Sequence, residues 1–378
     1  MENEIQKIGL FVPEATSLTK LDFNRFDNYV GKTVSYAMRG RFSIRNIVKN
    51  MLENAPTGKN GVILPAYLCE SVYYGLRELN IELFYADIDE RDLNISVESI
   101  NSIVQRENEK ILCVIVPSLY GNPANLIEIE EYCRKNEILM IDDAAQAWGS
   151  VLDEKMVGTF GNAGLWACSP GKPCGGAYGS LYWINYEKRI IQKPAHMLVH
   201  RLINNCYLET RCRVYTNNGL CRKIGSIEGK LGKFIGKIVA VDLDDCSEYD
   251  EKLLGGYFWD SLQFVEKRRH ILQKFMEKYN TIQLFRVVTN IRGTSHPCKI
   301  VLVFCDRDEC RKARDYFTEK KVMVGYGYSP IQGTTEGIDT TMKLYPRILE
   351  LPIELNDEHM DYIVRTLDEF LATEGKNA

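Results

Sequence analysis

Two carboxylates, a carboxamide and an amine stand close together in the middle of the 378-residue chain. Asp142 and Asp143 end the apolar run of ILMIDDAAQAWG (138–149), and Gln146 follows three residues later. Lys172 lies between Gly171 and Pro173 in SPGKPCGGAYGS (169–180), a segment that does not favour a helix. A carboxylate at a strand end can hold a cation, a metal ion or a protonated ring nitrogen, and a desolvated lysine is a candidate nucleophile for imine formation.

The two aspartates are expected to point in opposite directions, because side chains alternate along a strand. Ligands of parallel α/β sheets gather outside the carboxyl ends of the strands, so one of the two carboxylates is expected to face a ligand. The alternative is an exposed turn or a helix-capping aspartate. A phosphate-binding P-loop around Lys172 is excluded, because Trp166 and Pro173 occupy the positions where that motif needs Gly and Ser or Thr.

A third candidate element lies upstream, in YAMRGRFSIRNIVKNML (36–52). Gly40 and Arg41 stand just before an amphipathic pattern, and a helix N-terminus with an arginine is a natural seat for a phosphate. The alternative is an ordinary helix start with basic residues on its solvent face. Tyr67 ends the apolar segment GVILPAYL (61–68), where it is either a ring beside the ligand or a core tyrosine.

The first half of the chain alternates between strand-like and helix-like patterns. Between the strands, apolar residues recur at helical spacing at 69–79 and 125–137. Strands that are apolar on both faces and separated by helices predict a mostly parallel sheet with helices on both sides, the α/β class. The predicted strands are 61–68, 81–89, 111–119, 138–144, 163–169 and 179–185.

The character of the chain changes after about residue 186. Residues 188–238 hold 11 Lys or Arg against only Glu209 and Glu228, a local charge of +9 (11 − 2). From about 250 we expect one long amphipathic helix, then a strand at KIVLVFCD and helices at ECRKARDYFTEKKV and DEHMDYIVRTLDEFLAT. We therefore predict a large domain over 1–245, with the basic segment 188–241, and a smaller C-terminal α+β domain over 246–378.

Composition narrows the function classes. The net charge of −4 gives no general reason to expect nucleic acid as a partner. The 12 cysteines form no CxxC pair and the five histidines no HExxH motif, so we expect no metal site and no disulfide framework. We find no signal peptide and no apolar run long enough to span a membrane, which together with reduced thiols favours a cytoplasmic protein.

The segment IGSIEGKLGKFIGKIVAV (224–241) places apolar residues at helical spacing with lysines on other faces. Such a pattern can lie on an anionic membrane surface, pack on another subunit, or help to bind a nucleotide diphosphate. Its four glycines weaken an isolated helix by about 1 kcal/mol each relative to alanine. A subunit interface or a substrate-handling insert is favoured over membrane contact.

These elements, taken together, resemble the DegT/DnrJ/EryC1/StrS family of aminotransferases. IDDAAQAWG is similar to the family segment hEDAAQAhG, and GTFGNAGLWACSPGKPCGGAYGS is similar to G..GD.g.fSf.p.K....GeGG. RGRFSI resembles the family's phosphate turn, and ILPAYLCESV and LELPI resemble two further family segments. The resemblance covers about residues 35–185 closely and 250–378 loosely, and it implies the fold-type I architecture of enzymes that use pyridoxal 5′-phosphate (PLP).

The resemblance also implies roles for individual residues. Asp143 matches the aspartate that pairs with the pyridine nitrogen of PLP, and Lys172 matches the Schiff-base lysine, which also moves the proton between substrate and cofactor. Gln146 matches the residue beside the ring hydroxyl. The other predicted cofactor-binding residues are Gly40, Arg41, Ser169 and Tyr67, whereas Asp142 is expected to support the strand end.

The chain departs from the family pattern at several positions. Ala167 replaces the phosphate-contacting serine five residues before the lysine, a loss for which Ser169 can compensate. Asn162 replaces a common aspartate, and Ser118 stands where a histidine is often found. The asparagine-bearing segment that crosses from the partner subunit is not recognisable between 186 and 260. Because Lys172 is retained, the dehydratase branch of the family, which has histidine there, is disfavoured.

The resemblance implies a PLP-dependent aminotransferase that acts as a homodimer. Its expected substrates are a nucleotide-linked keto sugar as acceptor and glutamate as amino donor, in surface polysaccharide or amino-sugar biosynthesis. Three alternatives stay open: a PLP enzyme with another small-molecule substrate, a cofactor-binding regulator without turnover, and a membrane-surface protein that uses 224–241.

Overall fold

The computed structural model of the protein describes residues 21–169, 171–175, 179–185, 187–191, 248–331 and 336–375. Most of the basic segment 188–241, including the whole of 224–241, lies outside these ranges, so its predicted roles stay predictions. Within these ranges the chain forms two layered units, each built on its own β-sheet.

The first unit is built on a seven-stranded sheet in the order β1-β9-β8-β5-β4-β2-β3. All neighbours from β8 to β3 run parallel, and only β9 runs against them. The predicted mainly parallel sheet is thus observed. Its strands are β1 (Ser35–Ala37), β2 (Gly61–Pro65), β3 (Glu82–Ala86), β4 (Ile111–Pro117), β5 (Leu139–Asp143), β8 (Ala163–Cys168) and β9 (Gly179–Ile184), and the small hairpin β6 (Val151–Leu152) and β7 (Lys155–Met156) stands apart.

Helices cover both faces of this sheet, which explains why its central strands are apolar throughout. On one face, α2 (Gly40–Glu53) and α3 (Glu70–Leu76) bury apolar side chains against alternate residues of β2, β4 and β5. On the other face, α4 (Val97–Glu107) and α5 (Leu126–Lys135) pack against the remaining residues of the same strands, together with α1 (Phe23–Val30). A short 3₁₀ turn, Leu119–Gly121, follows β4.

The second unit contains an antiparallel sheet of four strands in the order β10-β11-β13-β12. The strands are β10 (Phe285–Val287), β11 (Lys299–Phe304), β12 (Gly325–Tyr326) and β13 (Ile348–Pro352). Around this sheet lie α7 (Val265–Tyr279), α8 (Arg307–Glu319), α9 (Asp339–Leu344), the 3₁₀ turn Tyr345–Arg347 and α10 (Asp357–Thr373). This α+β unit lies within the predicted C-terminal domain 246–378, whose bounds stay a prediction.

The expected single long helix after residue 250 is wrong in one respect, because the structure has two helices there. Helix α6 (Glu248–Leu262) ends where the Gln263 and Phe264 amides bond carbonyls only three residues back, and α7 then begins at Val265. The apolar side chains of α6 pack in the core of the large sheet, whereas those of α7 pack on the small sheet. Because α6 and α7 pack in two different cores, one straight helix could not make both sets of contacts.

These packing partners bear on the predicted domain boundary at 245/246. Leu254, Tyr257 and Phe258 of α6 belong to the large core, and Leu272 and Phe275 of α7 belong to the small one. We propose two domains, as the sequence predicts. The change from one core to the other lies between α6 and α7, later in the chain than the predicted boundary at 245/246. Within the described ranges, no helix combines the length and the apolarity that a membrane crossing requires.

Candidate functional site

The predicted site residues converge on the carboxyl edge of the large sheet. Asp143 is the last residue of β5, and its carbonyl accepts a hydrogen bond from Ser118, which follows β4. The neighbouring parallel strand β8 runs past this point to Cys168 and leads into the loop that carries Lys172. The order of the strands therefore brings Asp143 and the lysine loop to one edge, as expected for parallel α/β sheets.

The Asp143 carboxylate is buried, but only one of its two oxygens accepts a hydrogen bond from the described residues. Its Oδ1 accepts the Ala145 N–H at 3.0 Å, and none of the described residues donates to Oδ2. Burial raises the pKa of Asp143, while the Ala145 N–H and the positive charge of Lys172 counteract the rise. Asp143 and Lys172 thus lie within electrostatic reach of one another, and the second carboxylate oxygen is open to a cationic or N–H donor.

Asp142 belongs to a different environment, as the alternation along β5 predicts. Its Oδ2 accepts the N–H groups of Gly158 at 2.6 Å and Phe160 at 3.1 Å, so it ties the loop after β7 to the strand end. Its buried Oδ1 has no partner among the described residues. Burial raises the pKa of Asp142 to about 8, although the two N–H groups oppose this. This carboxyl group therefore has a structural role.

Lys172 is held by the backbone of a tight turn. Gly171 lies in the left-handed region with φ of 84°, and the Lys172 N–H donates to the Ser169 carbonyl at 3.1 Å. The Lys172 side chain is half-buried, and its amine makes no hydrogen bond or ion pair with the described part of the chain. The turn thus presents an amine whose hydrogen-bonding capacity is not used up by the neighbouring protein.

A buried arginine supports this turn from behind. Arg268 of α7 donates to the carbonyl of Pro173 at 3.2 Å and lies 3.1 Å from His296 Nε2. His296 Nδ1 lies 2.7 Å from the Trp148 carbonyl, and since a carbonyl only accepts, Nδ1 carries the hydrogen and Nε2 accepts from Arg268. Burial and Arg268 lower the pKa of His296 to about 3, so the ring is neutral.

Gln146 is oriented by contacts at both ends of its carboxamide. Its Oε1 accepts the Tyr120 N–H at 3.1 Å, and its Nε2 donates to the Tyr328 hydroxyl at 2.8 Å. Tyr120 lies in the left-handed region, with φ of 59°, a conformation that costs energy for a bulky residue and aims its N–H at Gln146. Gln146 thus links the large sheet with the loop after β12.

Tyr67 is completely buried, and its hydroxyl belongs to a closed network. Tyr67 Oη lies 2.5 Å from Tyr120 Oη, and Tyr120 Oη donates to Glu350 Oε1 at 2.8 Å. Glu350 Oε2 is bonded in turn to Lys299. This burial agrees with the core alternative for Tyr67, and its assignment to the cofactor stays a prediction.

The proposed phosphate seat lies beside the end of β8. Helix α2 begins at Gly40, the side chain of its N-cap residue Arg39 makes no capping hydrogen bond, and a Cβ on Gly40 would lie 3.2 Å from the Ala167 Cβ. Arg41 is the next residue, and its guanidinium lies 5.1 Å from the Phe42 ring. Ser169 is half-buried in the lysine loop. The start of α2 therefore lies beside the end of β8, close in the chain to Ser169.

Sequence reasoning missed five residues that surround this edge: Tyr120, Arg268, Lys299, Tyr328 and Glu350. For two of them a signal exists, because Lys299 and Glu350 are charged residues in otherwise apolar strand segments, KIVLVF and ILELP. A charge in a buried strand needs a partner, and these two are each other's partner. Tyr120, Arg268 and Tyr328 lie in segments without any comparable pattern.

Comparison with known proteins finds one family. Residues 50–180 match the model of the DegT/DnrJ/EryC1/StrS aminotransferase family. A GDP-4-keto-6-deoxy-D-mannose 3-dehydratase of Escherichia coli O55:H7 (strain CB9615 / EPEC) is 32% identical over 106 residues, 28% of this chain and 26% of that protein. A GDP-perosamine synthase of Escherichia coli O157:H7 is 26% identical over 144 residues, 37% of this chain and 39% of that protein. The matches thus span well under half of these relatives.

Solved structures extend the likeness to almost the whole chain. A DegT DnrJ EryC1 StrS aminotransferase from Brucella abortus superimposes with a TM-score of 0.67 at 17% identity, over 96% of this chain and 91% of that one. Helicobacter pylori PseC, an aminotransferase involved in the biosynthesis of pseudoaminic acid, has a TM-score of 0.70 at 14% identity, over 97% and 93%. These likenesses show the fold, and they confirm the predicted fold class. Residues 50–180 are thus similar to the DegT/DnrJ/EryC1/StrS aminotransferase family, and the chain as a whole has the fold of these solved aminotransferase structures.

Proposed function

We propose that the protein is a PLP-dependent aminotransferase that transfers an amino group from glutamate to a nucleotide-linked keto sugar. The observation that carries the proposal is the placement of Asp143 and Lys172 at one sheet edge, since Asp143 ends β5 and the neighbouring strand β8 leads into the Lys172 loop. Support also comes from relatives whose names include a GDP-perosamine synthase and a UDP-N-acetyl-3-dehydro-alpha-D-glucosamine 3-aminotransferase. We place the reaction in surface polysaccharide or amino-sugar biosynthesis.

The described groups fit PLP in their chemistry. Asp143 has an open carboxylate oxygen for the pyridine N–H, and Lys172 has an amine for the aldehyde carbon. Gln146 would lie beside the ring hydroxyl, and the start of α2 with Gly40, Arg41 and Ser169 would hold the phosphate. Bound PLP supplies an electron-accepting ring next to the reacting carbon.

The chain's own groups then have distinct tasks. The Asp143 carboxylate would accept a hydrogen bond from the pyridine N–H, because an ionised acid beside the nitrogen favours its protonated form. The Lys172 Nζ would hold the aldehyde group of the cofactor and would carry the proton that amino transfer moves between carbons. Arg268 holds the Pro173 carbonyl and thereby the position of the turn from which the amine acts. Tyr67 is proposed as the ring platform, which requires rearrangement at its buried position.

Lys172 favours amino transfer over dehydration. Some of the relatives are named as dehydratases, and others as aminotransferases or synthases. An amine at this position can both bind a carbonyl group and carry the proton, whereas histidine forms no such bond. A homodimer, a cytoplasmic location and the absence of nucleic-acid partners complete the proposal. The eight cysteines of the described residues form no disulfide with one another.

The proposal is tested with purified protein and PLP. We expect an absorbing complex that borohydride fixes on Lys172, located by peptide mass mapping, and that glutamate bleaches. Lys172→Ala should form no such adduct. Lys135→Ala is the matched control, because Lys135 is an exposed lysine of α5. Turnover with nucleotide keto sugars is compared with turnover on simple keto acids. Absence of any Lys172 adduct overturns the proposal, whereas turnover restricted to keto acids overturns its sugar part.

A further inference from the structure

The small domain contributes a hydroxyl group to the edge where the cofactor is proposed to bind. Tyr328, two residues after β12, accepts a hydrogen bond from Gln146 Nε2 at 2.8 Å, although 182 residues separate them in the chain. Gln146 is the group proposed to lie beside the ring hydroxyl of the cofactor. This inference therefore rests on the proposed function.

The orientation of the Gln146 carboxamide is determined by its neighbours. Because the Tyr120 N–H can only donate, the atom it contacts is the oxygen Oε1, and Nε2 must face Tyr328. An amide nitrogen carries two hydrogens, and one of them is used by Tyr328. The second remains available to a ligand oxygen at the same edge.

Tyr328 is held in place by packing on several sides. Its ring lies parallel to the Tyr120 ring, at 13° and 6.4 Å, and edge-on to Tyr67 at 5.3 Å. The preceding Gly327 approaches so closely that a Cβ there would lie 2.9 Å from the Ile348 Cβ and 3.0 Å from the Tyr67 hydroxyl. The direction of the Tyr328 hydroxyl is therefore set before any ligand binds.

The hydroxyl of Tyr328 has a proton to donate. Its oxygen accepts from Gln146, and within the described ranges no group accepts the Tyr328 O–H in return. Burial raises the pKa of Tyr328 well above its usual value, and the nearby Glu350 acts in the same direction, so the phenol stays protonated. Tyr67 and Tyr120 cannot take this role, because their hydroxyls are committed to each other and to Glu350.

We propose that Tyr328 is a further cofactor-contacting residue, whose hydroxyl donates together with Gln146 Nε2 to the ring-hydroxyl oxygen of the bound pyridoxal phosphate. Two donors at one oxygen stabilise it when it carries negative charge, and hydrogen bonds to charged groups are stronger than neutral ones. The small domain thereby takes part in recognition of the cofactor ring. Selectivity for a pyridine that bears this hydroxyl follows directly.

The test compares two ligands of the cofactor-free protein: pyridoxal phosphate and its 3-deoxy analogue, which keeps the aldehyde and the phosphate. We expect Tyr328→Phe to weaken binding of pyridoxal phosphate about tenfold, since one hydrogen bond to a charged oxygen is lost. Binding of the 3-deoxy analogue is expected to change less than about twofold, because the phenylalanine ring preserves the packing. The wild-type protein is expected to bind pyridoxal phosphate at least about tenfold more tightly than the analogue, a comparison that requires no variant.

Tyr326→Phe is the matched control, because Tyr326 lies two residues earlier and is 57% exposed. It should leave both affinities unchanged. Equal losses for the two ligands in Tyr328→Phe, or no loss for either, overturn the assignment of Tyr328 as a ligand contact. If wild-type protein forms no adduct at Lys172 with either ligand, the proposed function itself fails, and that result is distinct from a failure of Tyr328 alone.

Discussion

The carboxyl edge of the large sheet and the facing part of the small domain use polar groups in different ways. At the edge, Asp143 keeps an open oxygen and the amine of Lys172 has no bond to the described residues. In the small domain, Lys299 and Glu350 bond each other, and Glu350 also accepts the Tyr120 hydroxyl. Polar groups with unused hydrogen-bonding capacity can act on a ligand. Polar groups that bond each other stabilise a fixed structure.

The energetic consequences of the two arrangements also differ. Glu350 is only 4% exposed, and burial of Lys299 by itself lowers the pKa of that lysine. The neighbouring Glu350 overcomes this effect, and the net pKa of Lys299 is raised. Removing one member of such a buried pair leaves an uncompensated charge. Substitutions at the edge should therefore reduce activity, and substitutions in the network should reduce stability.

The largest effect is expected at Lys172. Lys172→Ala should lower kcat/KM for amino transfer by at least about 10³-fold, because both the covalent link and the proton carrier are lost. The unfolding midpoint in urea should stay close to that of the wild type, since the amine supports no bond in the described structure. Steady-state kinetics and urea unfolding measure the two effects. Activity within tenfold of wild type would contradict the role of this residue.

The next effect separates stability from chemistry. Lys299→Met should lower the free energy of unfolding by about 3–5 kcal/mol, because Glu350 is left buried without its cation. The double variant Lys299→Met/Glu350→Gln should recover at least half of this loss. Lys278→Met provides the control, since its partnership with Asp368 is exposed and should contribute only about 0–1 kcal/mol. Equal losses of unfolding free energy in Lys299→Met and Lys278→Met would contradict the larger contribution expected of the buried pair.

A smaller effect compares the two adjacent aspartates. Asp143→Asn should reduce amino transfer about 10²-fold, because a neutral amide cannot stabilise a protonated ring nitrogen. Asp142→Asn should change it less than about fivefold, since an amide oxygen still accepts the Gly158 and Phe160 N–H groups. The ratio of the two kcat/KM values is the measurement. A larger loss at Asp142 than at Asp143 would reverse the assignment.

The smallest effect is a pH dependence of stability at Asp142. Its folded pKa of about 8 exceeds the ordinary 3.8, so its stabilising contribution is complete below pH 4 and is lost as pH rises to 8. Asp142→Asn has no such titration. Its free energy of unfolding should therefore rise relative to that of the wild type by up to about 2–3 kcal/mol between pH 6 and pH 8. Unfolding free energies at both pH values give this difference. A difference that stays constant between pH 6 and pH 8 would mean that the carboxyl group is already ionised in the folded protein at pH 6.

Much of the fold and part of the site follow from local sequence patterns. The predicted strands at 61–68, 111–119 and 138–144 correspond to β2, β4 and β5, because short apolar runs bounded by turns favour buried strands. The helix at DEHMDYIVRTLDEFLAT corresponds to α10 with the same bounds, where Asn356 caps its start. The break between α6 and α7 was not predicted, because the amphipathic pattern does not tell which of two cores each half contacts.

The sequence by itself determined the class of the fold and pointed to Asp143, Gln146 and Lys172 as candidates, because apolar runs and motif spacing are local properties of the chain. The strand order that puts β5 beside β8 was decided by the tertiary structure. Only the tertiary structure decided which partners surround these residues. The Tyr328 contact with Gln146 spans 182 residues, and the Tyr120 contact with Glu350 spans 230. Such contacts depend on how the two sheets pack, and no local periodicity encodes that distance.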